Sequence, residues 1–141
     1  MRLDAAATDA VERWKPRIDA LGRTITIAAA EQVTARGSIA SIEQILDVLI
    51  DNALHHGNGT IAVTSRRLAG GGAIDVTDEG ILVHLADPEQ IFQRGHGDRH
   101  GIGLALAPSI AEAEGGRLIV TRPEPTTFSL ILLHADEGPD T

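Results

Sequence analysis

The thirteen residues from Arg94 to Leu106 (RGHGDRHGIGLAL) have the make-up of a phosphate clamp. Four glycines in the ten residues from Arg94 to Gly103 remove the Cβ atoms that would hold a backbone away from a ligand. Gly101 and Gly103 stand where an apolar, helix-periodic segment begins. The first N–H groups of a helix have no partner inside it. Together with the helix dipole they favour an anion by about 0.3–1 kcal/mol, or ~2 kcal/mol when partly buried. Phosphate is the fitting guest; a flexible loop capping an ordinary helix is the other reading, and on this stretch alone both stay open. The run Gly101-x-Gly103-x-x-Leu106 is not a dinucleotide fingerprint, because leucine replaces the small last residue and no apolar strand leads into the first glycine. His96, Asp98 and His100 share the loop, but a glycine-rich segment holds metal ligands poorly and no further ligand set is visible.

Two further points can do chemistry. Asn52 offers an amide oxygen, a hard donor of the kind Mg²⁺ takes, from a helix face that also carries Glu43, Asp47, Asp51 and His55. An asparagine can equally decorate a solvated helix. Asp78, in Asp78-Glu79-Gly80 after a strand, offers a carboxylate acceptor or else an Asx turn. The neighbouring His55 and His56 are a weak metal signal, since consecutive helical side chains point about 100° apart.

The elements that must position these groups follow from periodicity. Leu3 to Lys15 reads as a helix stopping near Pro16, with a less regular continuation to Gly22. Thr24 to Ala30 reads as a strand, and Gln32 to Arg36 as a second short strand able to pair with it. Ile39, Ile42, Ile45, Leu46, Leu49, Ile50, Ala53 and Leu54 recur at three and four, with Ser38 as N-cap and Gly57 as stop, so the longest helix carries Asn52. Asn58-Gly59 has the chemistry of a hairpin turn. Thr60 to Leu68 and Ala73 to Thr77 form an antiparallel hairpin around a glycine turn, and the second strand delivers Asp78. An irregular segment to Pro88 and a helical turn ending at Ile91-Phe92 precede the clamp. Leu104 to Glu114 is helical, and Arg117 to Thr121 and Thr126 to Leu133 pair around Pro123 and Pro125. Strands joined as hairpins between helices imply an α/β (α+β) two-layer sandwich, a mixed, mostly antiparallel sheet with helices on one face. Residues 1–134 form one domain, and 135–141 a disordered acidic tail.

Composition narrows the function classes. With 12 basic against 20 acidic residues the formal charge is -8, and Lys15 is the single lysine, which argues against a nucleic-acid partner. It does not argue against a nucleotide, whose charge one Mg²⁺ and a few backbone donors can neutralise. Trp14, Phe92 and Phe128 are the only aromatics, so the core is aliphatic and base stacking on aromatic platforms is not expected. There is no cysteine, hence no disulfide and no thiolate metal site. No apolar run approaches 18 residues and no basic leader precedes an apolar core, so the domain is expected neither to span a membrane nor to carry an export signal.

A helix with an asparagine face, an Asp-x-Gly after a strand and a glycine clamp, in this order, resemble the ATP-binding catalytic domain of bacterial sensor histidine kinases. Its Bergerat-type fold is shared with gyrase, Hsp90 and MutL. The matching segments are QILDVLIDNALHH for the asparagine box, DEG for the first glycine box, IFQRG for the phenylalanine box and HGIGLAL for the second glycine box. They cover roughly Ser38 to Leu133, and the fifteen residues from Asp78 to Phe92 match the spacing such kinases commonly show. The resemblance implies that Asn52 coordinates the Mg²⁺ bridging the triphosphate, that Asp78 accepts the adenine amino proton and that Gly80 makes room beside the purine. Gly101, Ile102, Gly103 and Leu104 would approach the phosphates, Phe92 would pack under the ATP lid, and His55 and His56 would flank the nucleotide.

The chain departs from that pattern at two positions. Leu82 replaces the second glycine of the first box, and Val48 replaces the other asparagine, four residues before Asn52. The loop between Phe92 and Gly101 is also short, which implies a small lid. The related ATPases place a carboxylate where Val48 stands, so free hydrolysis is expected to be negligible. None of the six histidines stands in a phosphoacceptor motif of the His-Glu-x-x-x-Pro kind, and no side chain is assigned as a catalytic base. The expected function is binding of Mg·ATP and transfer of the γ-phosphoryl to a histidine on a separate dimerisation domain. That domain would serve a downstream response regulator in a cytoplasmic two-component system, of which this chain is a fragment or one half of a split kinase. A non-catalytic nucleotide-binding regulatory module and an anti-sigma-factor serine kinase of the same fold are the alternatives.

Overall fold

The computed structural model describes residues 1–80, 92 and 103–134. In chain order the elements are α1 (Leu3–Ala20), β1 (Ile25–Ala30), α2 (Ile39–His56), β2 (Ile61–Leu68), β3 (Gly71–Thr77), α3 (Gly103–Ala113), β4 (Arg117–Pro123) and β5 (Thr126–Leu133). The sheet runs β1-β2-β3-β5-β4, with β1 and β2 parallel and every other neighbour antiparallel. The parallel pair is joined through α2, as a parallel connection requires a crossover, and the two hairpins β2–β3 and β4–β5 supply the rest. A mixed, mostly antiparallel sheet covered by helices is therefore what forms.

Alternation along the strands makes the layers. Ile61, Val63 and Ser65 of β2 are buried while the alternate residues Ala62, Thr64 and Arg66 are partly exposed, and Phe128, Leu130 and Leu132 of β5 join the same core as Ile42, Ile45, Leu46, Leu49 and Ile50 of α2. The opposite face carries a polar network. Arg66 donates to both oxygens of Asp75 at 2.6 and 3.2 Å, and the Ser129 hydroxyl donates to the same carboxylate at 2.5 Å. A solvated second face is characteristic of antiparallel sheets.

Two expectations are corrected. α1 does not stop near Pro16 but continues to Ala20 with the proline inside it. Proline removes one ladder bond, yet Trp14 and Ile18 on either side of it are buried in the core, and tertiary packing outweighs the local cost. Gln32 to Arg36 is not a strand beside β1. It makes isolated bridges instead, Thr34 with Arg2 and Ala35 with His134, because its backbone groups are taken by the start of α1 and the end of β5. The helix–turn expectations at Ser38 and Gly57 hold: the Ser38 side chain accepts from the Ser41 N–H at 3.2 Å, and the Gly57 N–H donates to the Ala53 carbonyl. Asn58-Gly59, with its hairpin chemistry, joins α2 to β2 rather than two strands.

Both α1 and α3 end in left-handed glycines. Gly22 (φ +77°) donates to the Asp19 carbonyl and Arg23 to Ile18, and Gly115 (φ +84°) donates to Glu112 while Gly116 donates to Ala111. These are Schellman ends, which turn the chain sharply out of the helix. The first of them sets the direction in which Arg23 leaves α1. Across the helical layer, α1 and α2 are tied by polar groups: Asp47 accepts from Arg13 at 2.6 Å and from the Trp14 indole at 2.8 Å, and Arg17 lies 3.9 Å from Asp51.

Candidate functional site

Asp78 follows β3 directly, and its backbone is fastened to the start of β5: its N–H donates to the Thr126 carbonyl and the Thr126 N–H donates to that of Gly80. The side chain is thereby buried, with 3% of its surface exposed. Its Oδ1 accepts the Gly80 N–H at 2.6 Å and the Asn58 N–H at 3.3 Å. Among the described residues nothing donates to Oδ2. Burial pushes the carboxyl above its ordinary range, against the pull of the Gly80 and Asn58 amides and the Arg23 charge, while Glu79 adds to the push. A buried carboxylate oxygen without a donor is costly unless a ligand completes it.

The end of α2 abuts this carboxylate. A Cβ on Gly57 would collide with the Asp78 side chain, so only glycine lets the two segments meet in this arrangement. Beyond it, the Glu79 N–H donates to the Asn58 carbonyl at 2.8 Å and the Glu79 carboxylate accepts the Thr60 N–H at 3.0 Å. Gly59 takes φ +68°, and a Cβ there would fall 2.5 Å from the Glu79 carboxylate. Residues 57–60 and 78–80 thus form one hydrogen-bonded unit. Arg23 closes it from outside, donating to the carbonyls of Leu54 at 2.8 Å, Ala53 at 3.3 Å and Gly59 at 2.9 Å.

Asn52 lies on α2 five residues before Gly57, about 7.5 Å along the axis at 1.5 Å per residue. It is half-buried, and its amide has no hydrogen-bond partner among the described residues. Asp51 beside it is engaged: His55 Nδ1 lies 3.1 Å from its carboxylate. His55 and His56 are both exposed in the last turn of the helix. Val48 is partly buried and packs on the core, so it offers no polar group toward Asn52. A free amide oxygen fits Mg²⁺, which keeps several waters and uses few protein ligands. Among the described residues no group of three or more His, Asp or Glu side chains is placed to hold a metal ion, so a cation here would rest on Asn52 and on the ligand's own oxygens.

α3 packs against α2 and begins at Gly103, with Leu104 buried. Phe92 meets Phe128 edge to face, ring centroids 5.7 Å apart at 79°. Gly101, Ile102, Leu82, His84, the loop residues His96, Asp98 and His100, and the tail 135–141 lie outside the described residues. Sequence reasoning brought out Asp78, Gly80 and Asn52 but missed Arg23, Gly57 and Asn58. By sequence Gly57 is a helix stop and Asn58-Gly59 a turn; nothing local to Arg23 marks it.

The fold is that of a family of ATPase domains. The chain belongs to the histidine kinase-, DNA gyrase B- and HSP90-like ATPase family, whose model matches residues 37–136. Its relatives are sensor histidine kinases. It is 34% identical to the sensor protein DivL of Caulobacter vibrioides over 122 residues, covering 82% of this chain and 16% of DivL. It is 30% identical over 112 residues to the sensor histidine kinase component HK1 of Mycobacterium tuberculosis, covering 74% of this chain and 67% of HK1. The chain spans 38% of the SenX3 kinase of Mycolicibacterium smegmatis, so that relative, like DivL, is much the longer protein. The catalytic domain of the histidine kinase ThkA superimposes with a TM-score of 0.79 at 22% identity, over 97% of both chains. Full-length ShkA, solved with AMPPNP, gives 0.78 at 21% identity over 96% of this chain and 31% of ShkA. No helix among the described residues is long and apolar enough to cross a membrane.

Proposed function

We propose that this chain binds Mg·ATP and delivers its γ-phosphoryl to a histidine of a separate dimerisation domain, from which a response regulator is served. The observation that carries the reading is the buried Asp78, whose Oδ1 is held by two backbone N–H groups while Oδ2 receives no donor among the described residues. An exocyclic purine amine would complete it. Gly80 keeps the backbone close, since a Cβ there would stand 2.8 Å from the Asp78 carboxylate. Asn52 would hold Mg²⁺ through its amide oxygen, and the ion would neutralise triphosphate charge when bound. The start of α3, with Gly101, Ile102, Gly103 and Leu104, would receive the phosphates on unpaired N–H groups. His55 and His56 would flank the nucleotide, and Phe92, against Phe128, would support the lid.

Phosphoryl transfer of this kind is positioning and electrostatics. The bond from the partner's imidazole nitrogen to the γ-phosphorus forms as the bond to the bridging oxygen breaks, and ADP leaves. No general base need come from this chain. Asp78→Asn keeps an oxygen for the two amides but offers the purine a second donor, so titration of a fluorescent ATP analogue should show a loss of roughly ten- to hundredfold. Binding equal to the parent's would remove the adenine assignment. Asn52→Ala should weaken Mg·ATP strongly and adenosine little; equal losses would make Asn52 a structural residue.

Val48 favours a second reading, a regulatory module that binds nucleotide without transferring phosphate, because it leaves the metal side of α2 with one donor. Radiolabel passed from γ-labelled ATP to a supplied dimerisation domain decides for the kinase; binding without transfer decides for the module.

A further inference from the structure

We propose that Arg23 is a positioning residue for the adenine end of the site: by clamping the last carbonyls of α2 to that of Gly59 it fixes the Asn58 amide, and through it Asp78, where a purine amine is read. The proposal rests on the adenine reading above and adds the group that holds the reader in place. A basic side chain that only capped α2 would need the carbonyls of that helix alone. Arg23 reaches two of them, Leu54 at 2.8 Å and Ala53 at 3.3 Å, and also takes Gly59 at 2.9 Å, on the far side of the turn that leaves the helix.

Between those two anchors stands Asn58. Its N–H donates to Asp78 Oδ1 at 3.3 Å, the longer of that oxygen's two bonds and so the more easily lost, and its carbonyl accepts from Glu79. One guanidinium therefore controls the spacing between the end of α2 and the turn that brings the Asn58 amide to the carboxylate. It can do so because the Schellman end of α1 turns Arg23 toward α2, and because a planar, five-donor fork can serve three carbonyls at once. Its charge also faces Asp78 and opposes the effect of burial, whereas Glu79, the other charged neighbour among the described residues, acts with burial.

The test uses the whole chain with Arg23→Met and Arg23→Lys. In nucleotide-free protein, ¹³C titration of the Asp78 carboxyl should move to higher pH in Arg23→Met and return toward the parent's in Arg23→Lys, which restores charge. Affinity for a fluorescent ATP analogue, measured where Asp78 is ionised, should fall about tenfold in both variants, the order that a small misplacement costs, since an ammonium cannot bridge two segments. An Arg23→Met protein with a lowered melting temperature but the parent's Asp78 titration and affinity would reduce Arg23 to a helix cap. Parent-like affinity in Arg23→Lys would leave charge alone and overturn the clamp; the lysine variant also serves if the methionine one does not fold. Should Asp78→Asn bind nucleotide normally, the adenine reading fails, while faster hydrogen exchange of the Asn58 amide in both Arg23→Met and Arg23→Lys would still establish the clamp, and parent-like exchange in both would overturn it.

Discussion

Asp78 is held in two opposed ways, and its proton reports both. Because burial raises its folded value above the unfolded one of about 3.9, the folded protein binds this proton more tightly than the unfolded chain does. The stabilisation it brings is present below the unfolded value and is lost as pH rises through the raised folded value, so at neutral pH the ionised group burdens the fold. The proposed adenine recognition would run the other way, since a protonated Oδ2 would meet the purine amine with a hydrogen. Adenosine affinity should therefore decline as pH falls through a midpoint above the ordinary carboxylate range, and adenosine is the right probe because it carries no phosphate. Asp78→Asn should show a weak, pH-flat profile and a neutral-pH melting temperature no lower than the parent's. A parent profile that is flat through mildly acidic pH would mean that Asp78 does not read the base.

At the level of elements, the site depends on where two strands and one helix end. β3 and β5 pair from Gly71↔Leu133 to Thr77↔Thr127, and that register brings Asp78 level with Thr126. Gly71 secures the distant end of the ladder, where a Cβ would collide with the Leu132 carbonyl. Gly71→Ala should consequently lower stability by about 1–3 kcal/mol, the usual cost of overpacking, and show as a lower melting temperature. Nucleotide affinity of the remaining folded protein should be near the parent's, since the substitution stands a full strand length from Asp78. A variant as stable as the parent would show that the β3–β5 contact relaxes freely. The hairpins and α2 were legible in the sequence because their signals are local: alternation, a serine cap, a glycine stop. The run of α1 through Pro16 was not, since only burial of Trp14 and Ile18 against other elements carries the helix past the proline.

For the molecule as a whole, the described histidines are few and badly placed for self-transfer. His134 follows β5 at the end opposite Thr126, roughly 27 Å away over eight extended residues at 3.4 Å each. His55 and His56 belong to the same helix as Asn52 and would lie beside the phosphates rather than in line with them. In-line attack needs the imidazole within about 3–3.5 Å of the γ-phosphorus. Incubated alone with γ-labelled ATP, the protein should remain unlabelled, and an added dimerisation domain should acquire acid-labile, base-stable label. Stoichiometric label on a histidine of this chain would overturn transfer in trans.

The sequence by itself determined the family, the layer architecture and which residue types could meet a nucleotide, because boxes in a set order and periodic apolar faces are properties of short stretches. Asn52, Asp78 and Gly80 could be named from them. What the tertiary structure alone decided is how Asp78 is held. Asn58, Glu79 and Arg23 come from three separated stretches, and their hydrogen bonds span 19 to 36 positions, while Gly57 lets the end of α2 approach Asp78. No periodicity or local turn chemistry encodes such a pairing. It arises when the end of α1, the end of α2 and the end of β3 are brought to one edge of the core by the burial of their apolar faces.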